Sequence, residues 1–100
     1  MSYGYINKFT AQPGKRDELM DILLQAAKVL KTTDDCIQYL VSTTIESDVI
    51  YVNEIWKSNR AHDASLEQAV VKDTISRAVP FIASVSNIAE QQIKGGKGLS

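Results

Sequence analysis

The chain predicts an α+β fold of the ferredoxin-like kind: a split βαβ-βαβ unit with a four-stranded antiparallel sheet and its helices on one face. Three observations lead there. Residues alternate at strand period near both ends and twice in the middle of the chain. Helix-period apolar stripes separate the first strand from the second and the third from the fourth. The two middle strands are joined by a polar link so short that it reads as a hairpin.

Residues 3–11, YGYINKFTA, set Tyr3, Tyr5, Asn7 and Phe9 on one side and Gly4, Ile6, Lys8 and Thr10 on the other. QPGKRDE then breaks the strand and opens a helix, with Gly14 as its expected N-cap and Asp17 and Glu18 suited to the positive end of the helix dipole. Leu19, Ile22, Leu23, Ala26, Val29 and Leu30 form one apolar stripe running to about Lys31. TTDD is a turn. From Cys36 to Ile45 the alternation returns, with Ile37, Tyr39, Val41, Thr43 and Ile45 on one side. Glu46, Ser47 and Asp48 reverse the chain, and Val49 to Lys57 form the next strand. A second helical region spans about Asn59 to Val79, with an interruption near Glu67 to Val71, and Pro80 ends it. Residues 81–93 alternate as the last strand.

One hundred residues make one domain, able to bury roughly two thirds of its unfolded surface in a single core. That domain is expected over residues 1–93, with KGGKGLS, residues 94–100, as a flexible Gly-rich tail. Two helices cover one face of the sheet, while several strands carry apolar side chains on the other. A second copy of the chain is the expected cover, so a homodimer packed sheet to sheet is predicted.

Composition narrows the function. Eleven basic and twelve acidic residues leave a net charge of -1, with both signs scattered, so no basic stripe supports nucleic-acid binding. No apolar run approaches a membrane span and the N-terminus lacks the pattern of a signal peptide, so a cytoplasmic protein is expected. Cys36 is the only cysteine and His62 the only histidine, which excludes an internal disulfide, a thiolate zinc cluster and a multi-histidine metal site.

The strand end EIWKS, the helix start RAHDASL and the later ISRAVPFI together resemble the antibiotic biosynthesis monooxygenase family, as does the closing GGKGL. The resemblance follows element order over nearly the whole chain. It implies a small dimeric α+β barrel acting as a cofactor-independent monooxygenase, with no flavin and no metal, on a quinol or polycyclic phenol held between sheet and helices. Such an electron-rich substrate reacts with oxygen directly once deprotonated, and the protein binds, desolvates and polarises it. The alternative on the same scaffold is a non-catalytic small-molecule-binding or regulatory dimer. Haem degradation is not expected: aligned from Trp56, the positions where haem degraders carry a second tryptophan and an axial histidine hold Ser65 and Ile75.

The catalytic candidates are Asn7 and Trp56. Asparagine is a poor strand former, and Asn7 sits mid-strand between Tyr5 and Phe9. If that face looks into the pocket, its amide would donate to a substrate oxyanion; its plainer reading is a satisfied polar group at a strand edge. Trp56 matches the family tryptophan and would wall the pocket or hydrogen-bond the substrate; packing at the strand-to-helix junction is its plainer reading. Glu54, two residues earlier, is expected to accompany the tryptophan rather than do chemistry.

The substrate-binding candidates are Tyr39, Tyr51, His62 and Ser65. His62 invites assignment as a general base. Its plainer reading is a solvated residue at a helix start, because the family's usual histidine falls at Ser65. The base therefore stays open between a water, Tyr39 and Tyr51, and so does the sheet face that lines the pocket. Arg77 reads as a solvated helix residue and Cys36 as a packed one.

Overall fold

The computed structural model describes residues 2–99. Its elements run β1 (Ser2–Ala11), α1 (Arg16–Leu30), β2 (Cys36–Thr43), β3 (Val49–Trp56), α2 (Asn59–Ser65), α3 (Ala69–Ala78) and β4 (Ile82–Ile93). The four strands form one antiparallel sheet in the order β2-β3-β1-β4. This is the predicted ferredoxin-like α+β arrangement.

Local chemistry sets the boundaries. Gly14 adopts φ 76 in the turn between β1 and α1, a backbone geometry open to glycine, and donates its N–H to Asp48 Oδ1 at 3.2 Å. It is not the cap: Lys15 holds that position, without a side-chain cap bond. Asp48, itself at φ 63, accepts the Ala11 N–H at 2.7 Å, so the β2–β3 turn is tied to the end of β1. Ser58 caps α2 by accepting the Ala61 N–H at 3.1 Å. Residues 66–68 form turns, breaking the second helical region near where the sequence placed the interruption. α3 ends at Ala78 and tightens into a 3-10 turn over Val79–Phe81, with Pro80 supplying the stop.

Strand register fixes which side chains meet the helices. Tyr3, Tyr5, Asn7 and Phe9 pair with Trp56, Glu54, Val52 and Ile50, and Tyr39 and Val41 pair with Glu54 and Val52. That face carries the core. One cluster joins Ala11, Leu19, Ile22 and Leu23 to Ile50, Val52 and Ala78; a second joins Tyr5, Leu30 and Trp56. The opposite face holds Ile6, Leu40, Tyr51 and Ile55, with Leu40 left 55% exposed.

β4 departs from the simple alternation that the sequence suggested. Ala83 has no counterpart between the Thr10–Ser84 and Ala11–Ile82 pairs, and Ile88 has none between Asn7–Asn87 and Ile6–Ala89. Each is an extra residue in a bulge. Ile82 and Val85, three positions apart, consequently face the same side.

Candidate functional site

The cavity arises from a change of side-chain size along α1. Its stripe is filled by Leu19, Ile22 and Leu23 at one end and Leu30 at the other, all buried, but Ala26 between them carries only a methyl. Over that gap α3 presents Val71, Thr74 and Ile75. What remains between helices and sheet is a cavity of about 480 Å³ bordering both core clusters. Its volume falls in the roughly 300–1,000 Å³ range of small-molecule sites. Leu66, Ile75, Val79 and Val85 line it while staying 40% to 59% exposed, so the mouth is apolar.

Polar groups gather on its sheet side. Glu54 lies opposite Tyr5 on one neighbouring strand and Tyr39 on the other. Its side chain is 11% exposed, and Oε1 accepts the Trp56 indole N–H at 3.0 Å. Burial pushes the Glu54 carboxyl above its ordinary value; the indole bond and then the nearby His62 oppose that rise. Burial also pushes Tyr5 up to about 12, Cys36 up to about 11, and Tyr39 upward, with negative charge nearby adding to each.

His62 stands beside this carboxylate. Its ring stacks on Tyr5 at 4.0 Å between centroids and meets Trp56 edge-on at 5.6 Å. Nε2 lies 4.0 Å from Glu54 Oε1, and Nδ1 lies 3.0 Å from Asp63 Oδ1. The side chain is only 16% exposed. The reading of His62 as a solvated helix-start residue is thus corrected: the Ser58 cap starts α2 so that its first turn lies against the sheet, and the aromatic floor covers the imidazole.

The other sequence candidates separate cleanly. Asn7 lines the cavity and its Oδ1 accepts from Asn87 Nδ2 at 2.9 Å, leaving its own N–H₂ to donate to a ligand. Trp56 also lines the cavity, but its N–H is committed to Glu54, not to a ligand. Tyr39 lines the wall. Tyr51 does not: β3 turns Ile50, Val52, Glu54 and Trp56 toward the helices, which puts Tyr51 on the far face opposite Lys8 and Ser42. Ser65 is buried at the cavity edge, where its hydroxyl donates to the His62 carbonyl at 2.6 Å. Arg77 points elsewhere, bonded to Asp73 Oδ2 at 3.1 Å and Gln25 Oε1 at 2.8 Å.

Glu54 and Asn87 are the residues that sequence reasoning undervalued. The signal for Glu54 was present: an acidic residue two positions before a tryptophan shares its strand face. Asn87 was hidden by the bulge beside it. Among the described residues, no group of three or more acidic, cysteine or histidine side chains is placed to hold a metal ion, and no helix is long and apolar enough to cross a membrane.

The sequence model of the antibiotic biosynthesis monooxygenase family matches residues 2–77. The chain belongs to the antibiotic biosynthesis monooxygenase family. Among solved structures, a protein of Chloroflexus aurantiacus assigned to the same family is 34% identical, with all of both chains covered and a TM-score of 0.88. A Caulobacter crescentus protein with that assignment is 22% identical, covering 92% of this chain and 89% of its own, with a TM-score of 0.83. SnoaB, a cofactor-independent oxygenase from Streptomyces nogalater, is 10% identical over 97% of both chains and shares the fold with a TM-score of 0.81. None of the curated proteins matches the chain. Membership of the antibiotic biosynthesis monooxygenases agrees with the resemblance carried by EIWKS and RAHDASL, and Glu54, Trp56 and His62 of those segments all border the cavity.

Proposed function

We propose that this member of the antibiotic biosynthesis monooxygenases is a cofactor-independent oxygenase of quinols or polycyclic phenols, working as a homodimer. The observation that carries the reading is the cavity: about 480 Å³, walled largely by aliphatic side chains, with Asn7, Tyr39, Glu54 and His62 gathered along its sheet side. A flat aromatic ring system suits the apolar walls, while its oxygens suit the polar row. SnoaB, which shares the fold, lends support as a cofactor-independent oxygenase.

The chemistry asks little of the protein. For an anthrone, loss of one methylene proton leaves an enolate that combines with dioxygen to give a peroxide. After protonation, loss of water turns the original CH₂ into a carbonyl, so one substrate and one O₂ yield one ketone and one water. The substrate supplies the electrons. The Asn7 N–H₂ is the donor for the charge developing on the enolate oxygen, in a site where low polarity strengthens that bond. The second copy is assigned to the face of Ile6, Leu40, Tyr51 and Ile55, which the helices leave uncovered.

The test is oxygen uptake with anthrone and with a hydroquinone, using protein stripped of metals and flavin by chelation and gel filtration. One O₂ consumed per ketone formed supports the reading. Tight binding of either compound without oxygen consumption above the protein-free rate would replace the enzyme by a binding protein.

A further inference from the structure

The proton acceptor of the site was open in the sequence, and the groups around Glu54 and His62 narrow it. Facing them are Trp56 on β3, Tyr5 on β1, Tyr39 and Cys36 on β2, and Asp63 on α2. The indole is a donor only, and burial keeps Tyr5, Tyr39 and Cys36 protonated near neutral pH. Asp63 is largely exposed and already occupied with His62 Nδ1. Glu54 and His62 remain.

Geometry divides the work between them. The Asp63 carboxylate is an acceptor, so the 3.0 Å contact puts the proton of the neutral imidazole on Nδ1 and leaves the lone pair on Nε2. Nε2 is the nitrogen 4.0 Å from Glu54 Oε1, and both residues line the cavity. Four ångströms is too long for a direct hydrogen bond, but a ligand atom can sit at about 2.8 Å from both. Tyr5 beneath the ring and Trp56 at its edge hold the imidazole in this orientation.

We propose that His62 is the general base of this site, with Asp63 setting its tautomer and Glu54 compensating the imidazolium formed when Nε2 takes a proton from a weakly acidic aromatic substrate. This rests on the oxygenase reading above for the identity of the substrate. The substrate C–H bond breaks, its electron pair stays as the enolate, and the proton forms the new N–H bond at Nε2. The resulting cation faces Asp63 on one side and Glu54 on the other, the arrangement of a base oriented by neighbouring groups. His62 is a catalytic residue in this scheme; Asp63 and Glu54 are positioning residues.

Proton abstraction can be measured without oxidation. Under argon, exchange of the anthrone methylene protons into deuterated water, followed by proton NMR, reads the base alone. The same samples opened to air read oxygen consumption, and quenching of the lone Trp56 emission reads binding. Wild-type protein is expected to accelerate exchange, and His62→Phe, which keeps a ring against Tyr5, to lose at least about a hundredfold of that acceleration with anthrone still bound. Asp63→Asn, at an exposed side chain with little bearing on folding, is expected to lose about tenfold. Exchange as fast in His62→Phe as in the wild type overturns the assignment, as does a wild type that binds anthrone without exchanging its protons. Fast, His62-dependent exchange with no oxygen uptake upholds the base and overturns the oxygenase reading. A wild type that neither binds nor exchanges anthrone overturns both.

Discussion

Replacing Trp56 with phenylalanine separates two things the indole does at once. The side chain is 1% exposed, so the smaller ring leaves unfilled space costing about 1–2 kcal/mol, part of the roughly 3–5 kcal/mol of full truncation to alanine. The lost N–H also deprives Glu54 Oε1 of its 3.0 Å donor. A hydrogen bond to an ionised carboxylate contributes about 1.5–3 kcal/mol, and one to a neutral carboxyl about 0.5–1.5 kcal/mol. The indole bond is the leading influence holding the raised Glu54 value down, so the variant raises it further. A folded value raised above the unfolded one gives stability that is complete below the unfolded value and lost as pH rises through the folded one. The variant therefore loses more than the wild type on going from pH 4 to pH 8. Urea unfolding followed by far-ultraviolet circular dichroism should show a deficit of about 2.5–5 kcal/mol at pH 8, and about 1 kcal/mol less at pH 4. Equal deficits at the two pH values would refute the claim that the indole stabilises a buried carboxylate rather than merely filling space.

Glu54→Gln keeps an acceptor for the indole while removing the buried acid. Its unfolding free energy in urea should gain on the wild type as pH rises above 4.5, by about 1.4 kcal/mol for each unit by which Glu54 is raised; a difference independent of pH counts against this. Asn7→Ala should slow oxygen uptake by about tenfold or more through the lost donor, and Asn87→Ala, which frees the Asn7 amide to turn, by a smaller factor. Steady-state oxygen-electrode rates check both, and an unaltered rate in Asn7→Ala removes it from the site. Leu40→Asp, midway along edge strand β2 on the uncovered face, should convert a dimer to a monomer in light scattering, whereas wild-type protein that is already monomeric at micromolar concentration removes the proposed interface.

Element order was legible because the periodicities are strong: the stripe from Leu19 to Leu30 and the alternation from Tyr3 to Phe9 are local signals that tertiary packing did not override. Within the site, Asn7 and Trp56 were legible as candidates by residue type and motif, an asparagine in mid-strand and a tryptophan at a strand end, while the face they share was not. Tyr39 and Tyr51 show the limit. Each obeys the alternation, but the face turned toward the helices is settled by pairing with β3 and by where α1 lands. His62 was misread because its burial depends on Tyr5, distant in sequence, lying under the first turn of α2. Asn87 and Val85 were obscured by two bulges that no run of residue types announced.

Those bulges bear on solubility as well as on the cavity wall. β4 is an edge strand of twelve residues, and a flat edge of that length offers its free backbone groups as a template for a stranger's strand. Ala83 and Ile88 break the ladder and add local twist, leaving only short regular stretches between them. Because each is an extra residue, deleting either would preserve the pairing of its neighbours with β1 while flattening the edge. The damage would then appear not as a lower melting temperature but as a chain that folds, keeps its cavity, and slowly joins its copies edge to edge.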